Sequence, residues 1–150
     1  PSARPLPGLL LDTHALFWLV SGEDTLTDEA LVEIGLAQDA GNLYVSPITA
    51  WELSVAAQKP KAAGRPHLGG DPADRWFRTA VRATAAKIIP IQQRIALEAA
   101  KVVVDTGHKD PGDCYLIATA RVRKIPIVTR DGVIQDIVAE DPAYLALVVC

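Results

Sequence analysis

The chain predicts an α/β fold built on a central, mainly parallel sheet, and three observations carry that expectation. Short β-rich apolar runs alternate with segments of helical periodicity. The strand runs are apolar throughout rather than alternating, as strands covered on both faces are. With 150 residues, 49% hydrophobic and 22% charged, and no linker or repeat to divide them, one domain over residues 1–150 around one core is expected.

Strands are expected at Leu9–Leu11, Leu43–Val45, Ile88–Ile89, Ile127–Val128 and Leu147–Val149. After the first, a helix should cover Thr13–Val20. Thr27 can cap the next, with Asp28 and Glu29 in its first turn, Leu26 and Leu31 at the N′ and N4 positions of a hydrophobic staple, and Gly41 to stop it. Ser46 as N-cap and Pro47 at the first helical position start a third helix through Trp51 and Val55 toward Lys59, which Pro60 and the stretch from Gly64 to Gly70 end. Asp71-Pro72 opens a helix carrying Trp76, Ala80 and Ala83, another runs from about Gln92 to before Gly107, and Asp110-Pro111 opens one with Leu116, Ile117 and Ala120. Asp131-Gly132 by itself reads as a turn.

Composition narrows the function classes. Asp12 and His14 interrupt the most apolar stretch, so no membrane-spanning helix is expected. No basic start followed by an apolar segment marks a secretory signal, and a cytoplasmic location is expected. Cys114 and Cys150 form neither a disulfide framework nor a zinc-type spacing, and are read as reduced thiols. The net charge of −3 hides an asymmetry: residues 59–94 hold eight basic and two acidic residues, +6, and the remainder, seven basic and sixteen acidic, carries −9. A polyanion approaching one side and ordinary solvated helix faces both account for that division.

Four carboxylates have two readings each. Asp12 ends the first apolar strand, at the edge where parallel sheets bind ligands, and is equally an N-cap. Glu52 shares a helix face with Trp51, Val55 and Ala56, so it is either a margin residue or a carboxylate with a partner, its rotamer held by Trp51. Asp113 is placed to reach back to the backbone of Asp110 in a capping box, or to point across the sheet's mouth. Asp131 repeats the geometry of Asp12 after Pro126-Ile127-Val128-Thr129-Arg130. Together they would lie on one edge, where like charges about 4 Å apart cost on the order of 4 kcal/mol at an effective dielectric of 20. Such a cluster takes up protons or binds cations, and oxygen-only ligands select Mg²⁺ or Mn²⁺. Metal-activated water attacking a phosphodiester is the chemistry this suits.

The sequence resembles the PIN-domain ribonucleases, in particular the VapC-like toxins of toxin–antitoxin pairs. The resemblance covers nearly the whole chain, through Leu10-Leu11-Asp12-Thr13-His14, Ser46-Pro-Ile-Thr49-Ala-Trp51-Glu52-Leu53, His108-Lys-Asp110-Pro111-Gly-Asp113 and Ile127-Val-Thr129-Arg130-Asp131, in that order. It implies a PIN-like three-layer α/β/α fold with about five strands, and RNA cleavage with Mg²⁺ or Mn²⁺ held by Asp12, Glu52, Asp113 and Asp131. Thr13, Thr129 and Asp110 would support them. A homodimer and inhibition by a VapB-like antitoxin are also implied. Cys114 departs from the Arg that many members carry after the third acid, removing a guanidinium that Arg130 is expected to replace. Lys59, Lys61, Arg65, Arg75, Arg78, Arg82 and Arg130 are expected to contact RNA. His14, His67 and His108 are assigned solvated or capping positions, and Trp76 the core.

Other readings stay open beside this one. A haloacid-dehalogenase-like phosphatase would want a second Asp two places after Asp12, where His14 stands. Neither glycine-rich nucleotide motif occurs, and no acidic pair precedes the first strand's Asp as a receiver domain requires. A PIN-fold module that binds RNA or a partner without cleaving it is the alternative within the fold.

Overall fold

The computed structural model describes residues 8–150. In chain order it contains β1 (Leu9–Leu11), α1 (Thr13–Ser21), α2 (Asp28–Ala40), β2 (Leu43–Val45), α3 (Pro47–Ala57), a 3-10 turn (Ala62–Gly64), α4 (Ala73–Thr84), β3 (Lys87–Ile88), α5 (Gln93–Thr106), α6 (Pro111–Arg123), β4 (Ile127–Thr129), α7 (Gly132–Glu140) and β5 (Leu147–Val149). The five strands form one sheet in the order β3-β2-β1-β4-β5, with every neighbouring pair parallel.

β1 is the middle strand and divides two cores. Its side chains alternate, so Leu9 and Leu11 join one cluster while Leu10 joins the other. On the first face, Ala15, Leu16 and Phe17 of α1, Ala30 and Ile34 of α2, and Trp76 and Phe77 of α4 pack against the sheet. On the second, Ile95 and Val102 of α5, Leu116 and Ile117 of α6, and Ile134 of α7 do so. The expected three layers, α/β/α, are therefore present. No helix among the described residues is long and apolar enough to cross a membrane.

Local signals set the helix ends. Thr27 accepts from the Ala30 N–H and Ser46 from the Ile48 N–H, and Gly22, Gly41 and Gly107 take left-handed conformations at C-caps. Of the proposed staple, Leu26 is buried while Leu31 stands 43% exposed. Two expectations need correction. β3 begins one residue early, at Lys87, and it is Ile89 just beyond the strand that is buried while Ile88 faces out. A two-residue edge strand carrying Lys and followed by Pro90 offers little to pair with. The Asp131-Gly132 turn is instead the start of α7, with Asp131 as N-cap. Val133, Ile134, Ile137 and Val138 carry the helical spacing there.

Two helices stop on L-residues in the left-handed region, Ala85 (φ +57°) and Lys124 (φ +56°). Left-handed backbone costs an L-residue roughly 1–2 kcal/mol, partly offset in a glycine replacement by greater freedom of the unfolded chain. Ala85→Gly and Lys124→Gly are each expected to raise the unfolding free energy by about 0.5–1 kcal/mol. Urea unfolding at constant m-value checks this, and an unchanged midpoint in both would contradict it.

Candidate functional site

The sheet's carboxyl edge is where the acids collect, and three of them, Asp12, Asp110 and Asp131, are oriented by helix capping. Asp12 follows β1 and caps α1, accepting from the Ala15 N–H through Oδ1 at 2.7 Å. Asp131 follows β4 by one residue and caps α7, its Oδ1 accepting from the Ile134 N–H at 2.9 Å. Asp110 caps α6, its Oδ1 accepting from the Asp113 N–H at 2.9 Å. Thr129, fully buried at the end of β4, ties the first two together: its hydroxyl favours the charged form of Asp12, against burial, and accepts from the Asp131 N–H at 3.0 Å. Each cap uses one carboxylate oxygen and fixes the direction of the other.

Asp113 does not reach back to Asp110's backbone as a capping box would. Its Oδ2 lies 2.8 Å from Nε2 of His108, a ring only 16% exposed. That corrects the solvated position assigned to His108, whose contact crosses a loop and leaves no periodic trace in sequence. His67, by contrast, is an exposed partner of Glu23.

Glu52 enters from α3. The Thr13 hydroxyl donates to its Oε1 at 2.5 Å and lies 3.0 Å from Thr49 Oγ1, so a threonine pair sets its rotamer. Trp51 does not do this; it is 51% exposed, as is much of Val55, and the buried residues of α3 are Thr49 and Leu53. On its far side the Glu52 carboxylate rests on the first turn of α6 at Gly112. A Cβ at position 112 would lie 2.2 Å from Oε2 and 2.4 Å from Cδ, so no residue but glycine admits the carboxylate there. Gly112 was not singled out from sequence, although a glycine inside a helix's first turn was the available signal.

One carboxylate oxygen each from Glu52, Asp110 and Asp113 lies within 4.8 Å of the others. Asp12 repels Asp113 and Glu52, and Asp131 repels Asp113, so all five acids share one field. Burial, reinforced by this repulsion, raises the pKa of Asp12, Glu52 and Asp113 above the ordinary carboxylate value. The donors facing one another are oxygens, and the ring nitrogen nearest them is committed to Asp113, so the set fits a hard divalent cation such as Mg²⁺ or Mn²⁺.

The cations divide. Lys59 and Arg65 line a groove of about 330 Å³ that Thr13, His14 and Glu52 also line. Lys61 is exposed in the turn between them. Arg75 and Arg78 sit on the exposed face of α4, opposite Trp76, paired along the helix with Asp71 at 3.9 Å and Asp74 at 3.1 Å; Arg82 is exposed in its last turn. Arg130 is tied into the fold: it donates to the Cys150 carbonyl at 2.9 Å, Asp24 at 2.7 Å and the Thr25 carbonyl at 2.7 Å, with its guanidinium 4.2 Å from the Trp18 ring centre. Cys114 is 3% exposed in the second core, its thiol donating to the His108 carbonyl at 3.2 Å, so position 114 faces inward and Arg130 replaces nothing there.

Carboxyls with raised native pKa values keep protons that the unfolded chain has released, so these three stabilise most below about pH 4 and lose that contribution as pH climbs through the raised values. In EDTA the protein is expected to lose thermal stability between pH 5 and 7.5. Glu52→Gln, which still accepts from Thr13, is expected to melt higher than the parent at pH 7.5, by on the order of 2–4 °C per kcal/mol relieved. Calorimetric melts would contradict this if the variant melted lower at pH 7.5 than the parent while matching it at pH 5.

The same fold recurs in solved structures. A toxin–antitoxin complex from Klebsiella pneumoniae matches at TM-score 0.59 and 24% identity over 94% of this chain and 96% of that one. DNA-bound VapBC from Salmonella typhimurium matches at 0.62 and 15% over 95% and 97%, and FitAcB from Neisseria gonorrhoeae at 0.59 and 20% over 93% and 95%. No curated protein sequence matches the chain. The PIN domain family model matches residues 9–140, from the first residue of β1 to the last of α7 and so across every acid described above, and the chain therefore belongs to the PIN domain family.

Proposed function

We propose that this PIN-domain protein is a Mg²⁺- or Mn²⁺-dependent endoribonuclease and the toxin of a toxin–antitoxin pair. The observation that carries the reading is the packing of Glu52, Asp110 and Asp113 within 4.8 Å beside Asp12 and Asp131, at the carboxyl edge of a parallel sheet. That much negative charge, partly buried, is relieved either by proton uptake or by a counter-cation, and the all-oxygen set suits the cation. Asp12, Glu52 and Asp113 would hold the ion and Asp131 would complete the set, while Thr13, Thr129 and the Asp110 cap keep those carboxylates aimed. When bound, the ion supplies Lewis acidity toward a phosphate oxygen and a water acidic enough to attack phosphorus near neutral pH.

The residues around the cluster do the rest. Lys59 and Arg65 bring cationic groups into the groove shared with Glu52, suited to an RNA backbone entering from that side, and Lys61 extends the same turn. Arg75, Arg78 and Arg82 add a longer-range field that salt screens. A VapB-like antitoxin as partner is supported by the similar structures, solved as toxin–antitoxin or VapBC complexes. A homodimer and a cytoplasmic location belong to the same reading.

Purified protein freed of any partner is expected to cut total bacterial RNA into discrete fragments with Mg²⁺ or Mn²⁺, and to stop with EDTA or Asp113→Asn. Intact RNA across several pools, from folded protein that binds the ion, would favour the non-cleaving module. Gly112→Ala is expected to lower Mn²⁺ affinity by about 10–100-fold, the range for residues that orient ligands. Because its effect runs through Glu52, adding Glu52→Gln should lower it little further, which titration calorimetry of the single and double variants reads directly.

A further inference from the structure

We propose that the exposed ring of His14, backed by Trp18 and Arg130, is a stacking site for an unpaired nucleobase of the RNA, a reading that rests on the ribonuclease function above. His14 follows Asp12 and Thr13 in the first turn of α1, so its position is set by the same cap that aims Asp12. Trp18 stands one turn on, its ring centre 5.3 Å from that of His14 with the planes 32° apart. The Arg130 guanidinium lies 4.2 Å from the Trp18 ring centre, and its bonds to Asp24, Thr25 and Cys150 hold it there. Arginine, tryptophan and histidine thus form a braced series whose outermost ring, His14, is exposed.

The chemistry of the surroundings selects the occupant. Asp12, Asp131, His14, Trp18 and Arg130 line one pocket of about 220 Å³. Two of its walls belong to the acidic cluster and three to the cation–aromatic series. A phosphodiester seated at the cluster therefore has the base of an adjoining nucleotide beside His14. The base must be unpaired, since stacking between neighbours in a duplex covers its faces, and stacking of this kind tolerates any sequence because every base presents a π-face. Bracing keeps the rings in place before the base arrives, so little ordering is left to be done on binding. The solvated position expected for His14 is what leaves its ring open to substrate.

The test compares two octamers of equal charge, an oligoadenylate and a ribose-phosphate chain without bases, binding to the Asp113→Asn protein in Mg²⁺. With His14 present the bases are expected to improve affinity by about tenfold or more. His14→Ala should shrink that advantage several-fold while leaving the base-free octamer unchanged, and His14→Phe should keep it. An advantage the same in His14→Ala overturns the proposal, as does a uniform loss for both octamers, the mark of a purely structural role. Ultraviolet cross-linking of 4-thiouridine RNA to the wild-type protein gives a second reading: adducts on the peptide spanning residues 13–21 support the site, and adducts confined elsewhere overturn it. Binding of a partner protein that depends on His14 while RNA binding does not would assign the surface to that partner instead. Failure of the proposed function is distinguishable, because then no RNA pool is cut whether or not the octamers bind; RNA cleavage with a base advantage independent of His14 defeats this inference alone.

Discussion

Everything at the active edge follows from the burial of β1. Leu10 and Leu11 are wholly excluded from solvent, with parallel neighbours on both sides and a core on each face. A strand in that position carries no charge along its length, because an ion there would lack both water and a partner. The first polar side chain the backbone can present is the one after the strand, and parallel pairing places the ends of β1, β2 and β4 on the same side. Asp12 and Ser46 directly follow β1 and β2, and Thr129 is the last residue of β4. All three are buried and each satisfies a backbone or carboxylate group.

Capping is what makes those positions usable for chemistry. A helix N-terminus leaves N–H groups without partners, and an aspartate that accepts from one of them is held in a single rotamer with its second oxygen aimed outward. Asp12, Asp110 and Asp131 all work this way, so a structural bond and a second, uncommitted oxygen direction come from the same side chain. Glu52 lacks a cap. It is oriented instead by the Thr13 hydroxyl and by the bare Cα of Gly112, a steric device in place of an electrostatic one. The energetic consequence is a site under repulsion, with three of its acids shifted toward the protonated form. Stability given up at an assembled site is returned when a ligand binds the native state.

Charge counted along the chain and charge displayed in space differ here. The +6 segment does not form one patch: Arg75 pairs with Asp71 just before α4 and Arg78 with Asp74 inside it, while Lys59 and Arg65 lie in the groove that includes Glu52. Arg130, outside that segment, serves as a brace between the chain's C-terminal residue, the loop at Asp24 and Thr25, and the Trp18 ring.

The sequence by itself determined most of the strands, most helix starts, the parallel α/β class and the acids Asp12, Asp113 and Asp131 at strand and helix ends, because each rests on local chemistry: apolar runs, cap residues, and the polar residue that must follow a buried strand. It also allowed two readings of each acid: Asp12 and Asp131 cap helices with one oxygen and leave the other free, Asp113 turns to His108 instead of forming a capping box, and Glu52 is partnered by Thr13. α7 was missed because a glycine after Asp131 is a turn signal until the apolar spacing beyond it is weighed. Only the tertiary structure decided the rest: His108 on Asp113, Thr13 on Glu52, Glu52 on Gly112, Cys114 in the core and His14 beside Trp18 and Arg130. Apart from the last stack's helical pair, these are contacts between elements, set by how α1, α3 and α6 meet around the sheet. Local pattern says which face of an element is buried, and only packing says which atoms it is buried against.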